Sequence, residues 1–108
     1  MQKKADYTKK ILNLSELKKK IGDRPRSEKV ILCHGNFDMV HPGHVRHLTY
    51  AKTKADILIV SITADQFIQK GLYRPFVPEN LRALNLAAFQ MVDYVLIDHN
   101  TNPLKNLS

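Results

Sequence analysis

The feature that most constrains this chain is an alternation of short, β-branched apolar runs with stretches of 3.6-residue periodicity. Residues 29–33 form the first run, Lys-Val-Ile-Leu-Cys, and Gly35 closes it; its length and composition predict a buried parallel strand. Pro42 is a favoured first helical residue, and Val45, Leu48 and Ala51 or Lys52 then recur at helical spacing, predicting a helix over 42–54. Residues 56–63, Asp-Ile-Leu-Ile-Val-Ser-Ile-Thr, read as a second buried strand, and 64–69 as a helix start broken by Gly71. One glycine and two prolines mark 71–78 as a surface loop. Pro78 and Glu79 open a further helix, whose apolar positions are Leu81, Leu84, Ala88 and Met91, and 93–97 form a third strand. The polar segment 98–108, with Pro103, adds none. Strands that alternate with helices imply an α/β fold with a parallel sheet and right-handed crossovers.

The remainder of the chain is basic. Residues 1–29 hold ten Lys or Arg against four acids, whereas 30–108 hold seven against six. Most of the formal net charge of +7 is thus N-terminal, and a solvated tail accounts for Lys3, Lys4, Lys9 and Lys10. Removing residues 1–10 is then expected to leave the fold nearly unchanged. Tyr7 is the one aromatic among these lysines and gives no platform on which successive bases could stack, so nucleic acid is not the expected partner. Ser15 is the predicted N-cap of a short helix that Gly22 ends. The organisation expected is a basic segment with that helix over 1–28 and one domain over 29–108, since 108 residues at 44% hydrophobic content suit one core. The start Met-Gln-Lys-Lys lacks the apolar core of a secretory signal, and apolar runs such as 57–60 are far short of a bilayer span. A cytoplasmic protein with no membrane contact is expected. The single cysteine, Cys33, lies in an apolar run and packs as a small hydrophobe.

The chemistry is concentrated in His34-Gly35-Asn36-Phe37-Asp38-Met39-Val40-His41-Pro42-Gly43-His44, between the first strand and its helix. In open α/β sheets, ligands bind outside the carboxyl ends of the strands, where this loop falls. Gly35 lets backbone approach a phosphate, and the helix start offers free N–H groups and a positive dipole end. His41 and His44 flank that start, placed to donate hydrogen bonds to phosphoryl oxygens whose charge grows in a transition state. Gly43, having no side chain, leaves room for a nucleotide against the helix. His41, His44 and His47 lie three apart, but that spacing drifts around a helix and no nearby carboxylate or cysteine completes a set, so no metal site is expected of them. Capping of the helix by the histidines is the structural alternative.

The strings Gly35-Asn36-Phe37-Asp38 and His41-Pro42-Gly43-His44 resemble the G-x-F-D and H-x-G-H signature of the cytidylyltransferase-like nucleotidyltransferases. The resemblance runs over about 29–97 and includes Asp56, Asp65, Lys70-Gly71, Arg74-Pro75, Arg82 and Asp93. Its nearest patterns are the sugar-phosphate adenylyltransferase domain of ADP-heptose synthesis and glycerol-3-phosphate cytidylyltransferase. Gln90, where the latter has arginine, favours the sugar-phosphate branch. The resemblance implies a Rossmann-like three-layer domain that lacks its last C-terminal elements, including a serine/threonine-rich nucleotide motif. It implies transfer of AMP or CMP from ATP or CTP to a sugar or polyol phosphate, with pyrophosphate leaving and Mg²⁺ carried by the triphosphate, in a homodimer. His41, His44 and Lys70 would be catalytic. Gly35, Asn36, Phe37, Gly43 and Arg82 would bind the nucleotide, and Asp38, Asp65 and Arg74 the acceptor, although both aspartates suit loop or helix capping equally. Two other classes stand beside this one: a noncatalytic nucleotide-binding or oligomerising fragment, and an RNA-associated protein, since class I aminoacyl-tRNA synthetases carry a related H-x-G-H element. Against the latter, their second signature is absent.

Overall fold

A computed structural model describes residues 6–22, 27–38, 40–67 and 77–99. Helix α1 (Leu14–Ile21) precedes strand β1 (Val30–Gly35), helix α2 (Pro42–Thr53), strand β2 (Ile57–Thr63), helix α3 (Glu79–Ala87) and strand β3 (Tyr94–Asp98). The three strands are parallel in the order β1-β2-β3. With period-two alternation, β2 sends Leu58, Val60 and Ile62 to one face and Ile57 and Ile59 to the other. The first set packs with Val95 and with Leu48 and Ala51 of α2 and Ala83, Leu86 and Ala87 of α3. The second packs with Leu96 and with Leu17 of α1. Helices therefore cover both faces of a parallel sheet, the Rossmann-like three-layer arrangement. The run 57–62 is buried throughout, and apolar at every position but Ser61, because neither face of it meets water.

Polar side chains set the joints. The Lys29 N–H donates to Asp56 Oδ2 at 2.7 Å, pinning the entrance of β1 to that of β2. Asp93 Oδ2 accepts from the Leu58 N–H at 2.7 Å and from Lys52 Nζ at 2.6 Å, so one carboxylate ties the last turn of α2 to the approach to β3.

Four expectations are corrected. The N-cap of α1 is Asn13, not Ser15: the Asn13 side chain accepts from the Glu16 N–H at 2.8 Å, and the Glu16 carboxylate accepts from the Asn13 N–H at 3.1 Å. This reciprocal pair satisfies two donors where Ser15 would satisfy one. The apolar face assigned to α3 is rotated. Leu81 is 52% exposed, Ala88 is exposed and Met91 lies past the helix end, while Arg82, Ala83, Leu86 and Ala87 are buried. A hydrophobicity pattern misplaces the face because the residue that opens it is an arginine. Residues 65–67 form one 3-10 turn rather than an α-helix start; 68–76, which include most of the expected loop, lie outside the described residues. Finally, the basic segment is not a solvated tail from Tyr7 onward. A 3-10 turn (Tyr7–Lys10) leads into Ile11, which bridges Val95 in parallel, and the Leu12 N–H donates to the Val95 carbonyl at 3.0 Å. Lys10 Nζ donates to the Phe89 carbonyl at 3.0 Å.

Candidate active site

The loop after β1 turns sharply at Phe37, whose φ of 50° is in the left-handed region, a conformation that costs a non-glycine residue about 1 kcal/mol. Ring packing offsets the strain. A Cβ on Gly35 would come within 2.9 Å of Phe37 Cε2, and the Phe37 and His44 rings sit 5.2 Å apart between centroids, tilted by 59°. Gly35 is therefore required by an aromatic ring of its own loop. Gly43 has the same explanation: a Cβ there would lie 2.7 Å from His41 Cε1, so the space the sequence suggested for a nucleotide is held by the His41 imidazole.

His41 is the N-cap of α2. Its Nδ1 accepts from the Gly43 N–H at 3.0 Å, and His44 Nδ1 accepts from the His41 N–H at 3.2 Å. The rings lie 3.9 Å apart between centroids and 31° from parallel. A neutral imidazole that accepts at Nδ1 carries its proton at Nε2. Both rings are thus fixed in one tautomer, with an Nε2–H donor on the side away from the cap. Burial, then electrostatic repulsion between its protonated form and the neighbouring His41 and His47, holds the His44 pKa below its ordinary value of 6.5. Capping and phosphoryl recognition are not competing roles here, because the cap orients the donor.

Arg82 is fully buried. Its Nε donates to the Val77 carbonyl at 2.9 Å, Nη1 to the Asn36 carbonyl at 2.7 Å and Nη2 to Asp65 Oδ1 at 2.6 Å. One guanidinium joins α3, the chain entering it, the loop after β1 and the turn after β2. This is not a solvated charge: the side chain that the resemblance assigns to the nucleotide is here a buried brace of the loops around the site. Asp65 also offers its N–H to Glu79 Oε1 at 2.9 Å, and Asp38 Oδ1 accepts from the Val77 N–H at 2.8 Å. Both aspartates, expected near an acceptor, brace the loops around the site. Lys70 and Arg74 lie outside the described residues. Among the described residues, no three His, Cys, Asp or Glu side chains gather to hold a metal ion. His47 Nε2 stands 3.9 Å from Cys33 Sγ, whose pKa burial raises above 9.0.

Sequence reasoning missed a polar row on the opposite face of the sheet. His34 Nδ1 lies 3.0 Å from Ser61 Oγ, and His34 Nε2 lies 3.3 Å from Thr63 Oγ1. Register was the available signal, since His34 pairs with Ser61. Beside His41, a groove of about 660 Å³ opens between α2 and α3, lined in part by Val40, Val45, Arg46, Asn85 and Phe89.

With this geometry in hand, known proteins offer a comparison. A family model described as cytidylyltransferase-like matches residues 32–107. The chain is 38% identical to the bifunctional protein HldE of Campylobacter jejuni subsp. jejuni over 98% of its own length and 23% of that protein's. It is 39% identical to the HldE of Citrifermentans bemidjiense over 93% of its own length and 21% of that protein's. It spans about a quarter or less of these curated relatives. In structure it is similar to the lipopolysaccharide core biosynthesis protein from Thermoplasma volcanium GSS1, at a TM-score of 0.68 and 25% identity, covering 75% of this chain and 66% of that one.

Proposed function

This chain belongs to the cytidylyltransferase-like family, and from that premise we propose that it transfers AMP or CMP from ATP or CTP to a phosphorylated sugar or polyol. An acceptor phosphate oxygen attacks the α-phosphorus, the bond from that phosphorus to its bridging oxygen breaks, and pyrophosphate departs. The nucleophile is already ionised at neutral pH, so positioning and charge stabilisation carry the rate.

The observation that carries this reading is the mutual cap of His41 and His44, which leaves two Nε2–H donors at the start of α2. Donors fixed before the reaction lose no reorganisation energy when charge develops on the α-phosphoryl oxygens. The helix start adds its dipole. Asn36, held by Arg82 through its carbonyl, and Phe37 would shape the phosphate loop, while Lys70 would supply charge and Arg74 contact the acceptor. Mg²⁺ would arrive on the triphosphate and neutralise part of its charge. The groove of about 660 Å³ beside His41 suits a ligand of nucleotide or sugar-phosphate size. Gln90 and the structural similarity to a lipopolysaccharide core biosynthesis protein favour a sugar phosphate and carbohydrate biosynthesis. The test is pyrophosphate release with ATP or CTP against a panel of sugar and polyol phosphates. Acceptor-dependent release supports the reading, whereas nucleotide binding without release under every pairing favours a noncatalytic nucleotide-binding role.

A further inference from the structure

Three histidines stand at the carboxyl ends of the strands or just beyond, and they differ in what their ring nitrogens meet. His41 and His44 each accept a backbone N–H at Nδ1, so protonating either ring there breaks the cap of α2. His34 is different. Its Nδ1 and Nε2 both face hydroxyl oxygens, Ser61 Oγ and Thr63 Oγ1, and a hydroxyl can accept as readily as it donates. The protonated ring therefore keeps both hydrogen bonds. Its exposure at the end of β1 also leaves the ring open to solvent and to a ligand. Ser61, by contrast, is fully buried, so the imidazole is anchored.

The groups that face His34 are compatible with positive charge. From β2 these are the two hydroxyls. From β3, alternation and register put Tyr94 and Asp98 on the same face, Asp98 paired with Thr63. Helix α1 meets this face through Leu17, and its Glu16, Lys18, Lys19 and Lys20 are exposed. Arg82, the guanidinium nearest the loop in bonding terms, has all three nitrogens committed.

We propose that His34 takes up positive charge when a polyphosphate binds at the carboxyl ends of the strands, so that binding is coupled to proton uptake at this ring. The proposal rests on the nucleotidyltransferase reading for its ligand. Inorganic pyrophosphate, the expected product, is the probe. Calorimetric titration of the full chain near neutral pH, in two buffers of different ionisation heat, gives the protons taken up per pyrophosphate. The probe's own protonation cancels in the difference between wild type and variant. Wild type should take up a proton fraction that His34→Gln loses, and His34→Gln should bind roughly fivefold more weakly, the effect of one partly exposed charge pair. Equal uptake in wild type and His34→Gln overturns the proposal. Should His34→Gln not fold, ring resonances of the wild type decide. Movement of the His34 signal toward its protonated position with pyrophosphate supports the proposal, and a stationary signal while amides of 35–44 respond overturns it. A wild type that binds neither pyrophosphate nor triphosphate defeats the nucleotidyltransferase reading and the proposal together, a result distinct from binding without uptake.

Discussion

At the scale of single residues, the site depends on side chains that hold one another. Replacing His41 or His44 by Asn is expected to slow turnover by ~100-fold, the usual effect of losing one donor to developing charge, with nucleotide affinity changing much less. His41→Ala should lose about 1 kcal/mol of stability with the cap, read as a lowered Tm, whereas Asn is itself a capping residue. Near-normal turnover in both Asn variants would remove the two histidines from the chemistry. Gly43→Ala should slow turnover as well, since its methyl would lie 2.7 Å from His41 Cε1 and must displace the ring; an unchanged rate would show that ring placement is unimportant. The lowered pKa of His44 also gives stability a pH dependence. Below 6.5 the unfolded chain binds a proton that the folded chain still resists, so stability falls as pH drops from that value to the folded one. Urea titrations at successive pH values should show this decline, and His44→Asn should flatten it. The sequence made the His41–His44 pair legible, because a proline-opened helix start after a glycine loop has few uses. It did not show that Gly35 and Gly43 make room for imidazole and phenyl rings, since rings folding back over their own backbone leave no periodic trace.

At the scale of elements, strands and helices were legible wherever hydrophobic period and element agreed. Strand β2 and helix α2 were placed to within a residue or so, because 57–60 is continuously apolar and Pro42 fixes a boundary. Helix α3 was found but turned the wrong way. The apolar pattern selects Leu81, whereas the buried face opens with Arg82, and no hydrophobicity scale assigns a guanidinium to a core. Arg82 is tolerated there because three bonds leave the element with its charge paired and its nitrogens engaged. The rotation is directly testable by denaturant unfolding. Leu81→Gln should change stability by no more than about 0.5 kcal/mol, as for an exposed site, while Leu86→Ala should cost about 2–4 kcal/mol through lost burial and a cavity. Arg82→Ala should cost ~2–4 kcal/mol, less than a fully buried pair because Asp65 is 39% exposed. It should also loosen three loops at once. A large cost at Leu81 with none at Leu86 would return α3 to the orientation that periodicity suggests.

At the scale of the whole molecule, the sheet lies between two cores of unequal size, and the N-terminal segment contributes to both, Ile11 to the larger and Leu12, Leu14, Leu17 and Ile21 to the smaller. Charge counting suggested a detachable tail, since lysines dominate the composition of 1–29 and composition cannot see a lysine stem lying along a fold. Yet Lys10 reaches the Phe89 carbonyl, Ile11 and Leu12 join the sheet beside β3, and α1 buries Leu17 completely against Ile57, Ile59 and Leu96. An eight-residue helix is not stable alone in water, so α1 exists because Leu17 is covered. Leu17→Ala should therefore lower stability by about 2–4 kcal/mol. Removing residues 1–10 breaks the Lys10 hydrogen bond and deletes the turn packed near α3, without touching Leu17, and a net loss of about 1 kcal/mol follows from one partly buried charged hydrogen bond. For a chain of this size that is a Tm lower by about 4 °C. Lys10→Met should reproduce part of that loss, because it removes the donor while keeping the stem. A truncated chain as stable as the full one would return the first ten residues to the role of a solvated tail. A truncation costing as much as Leu17→Ala would mean that the turn organises α1 itself.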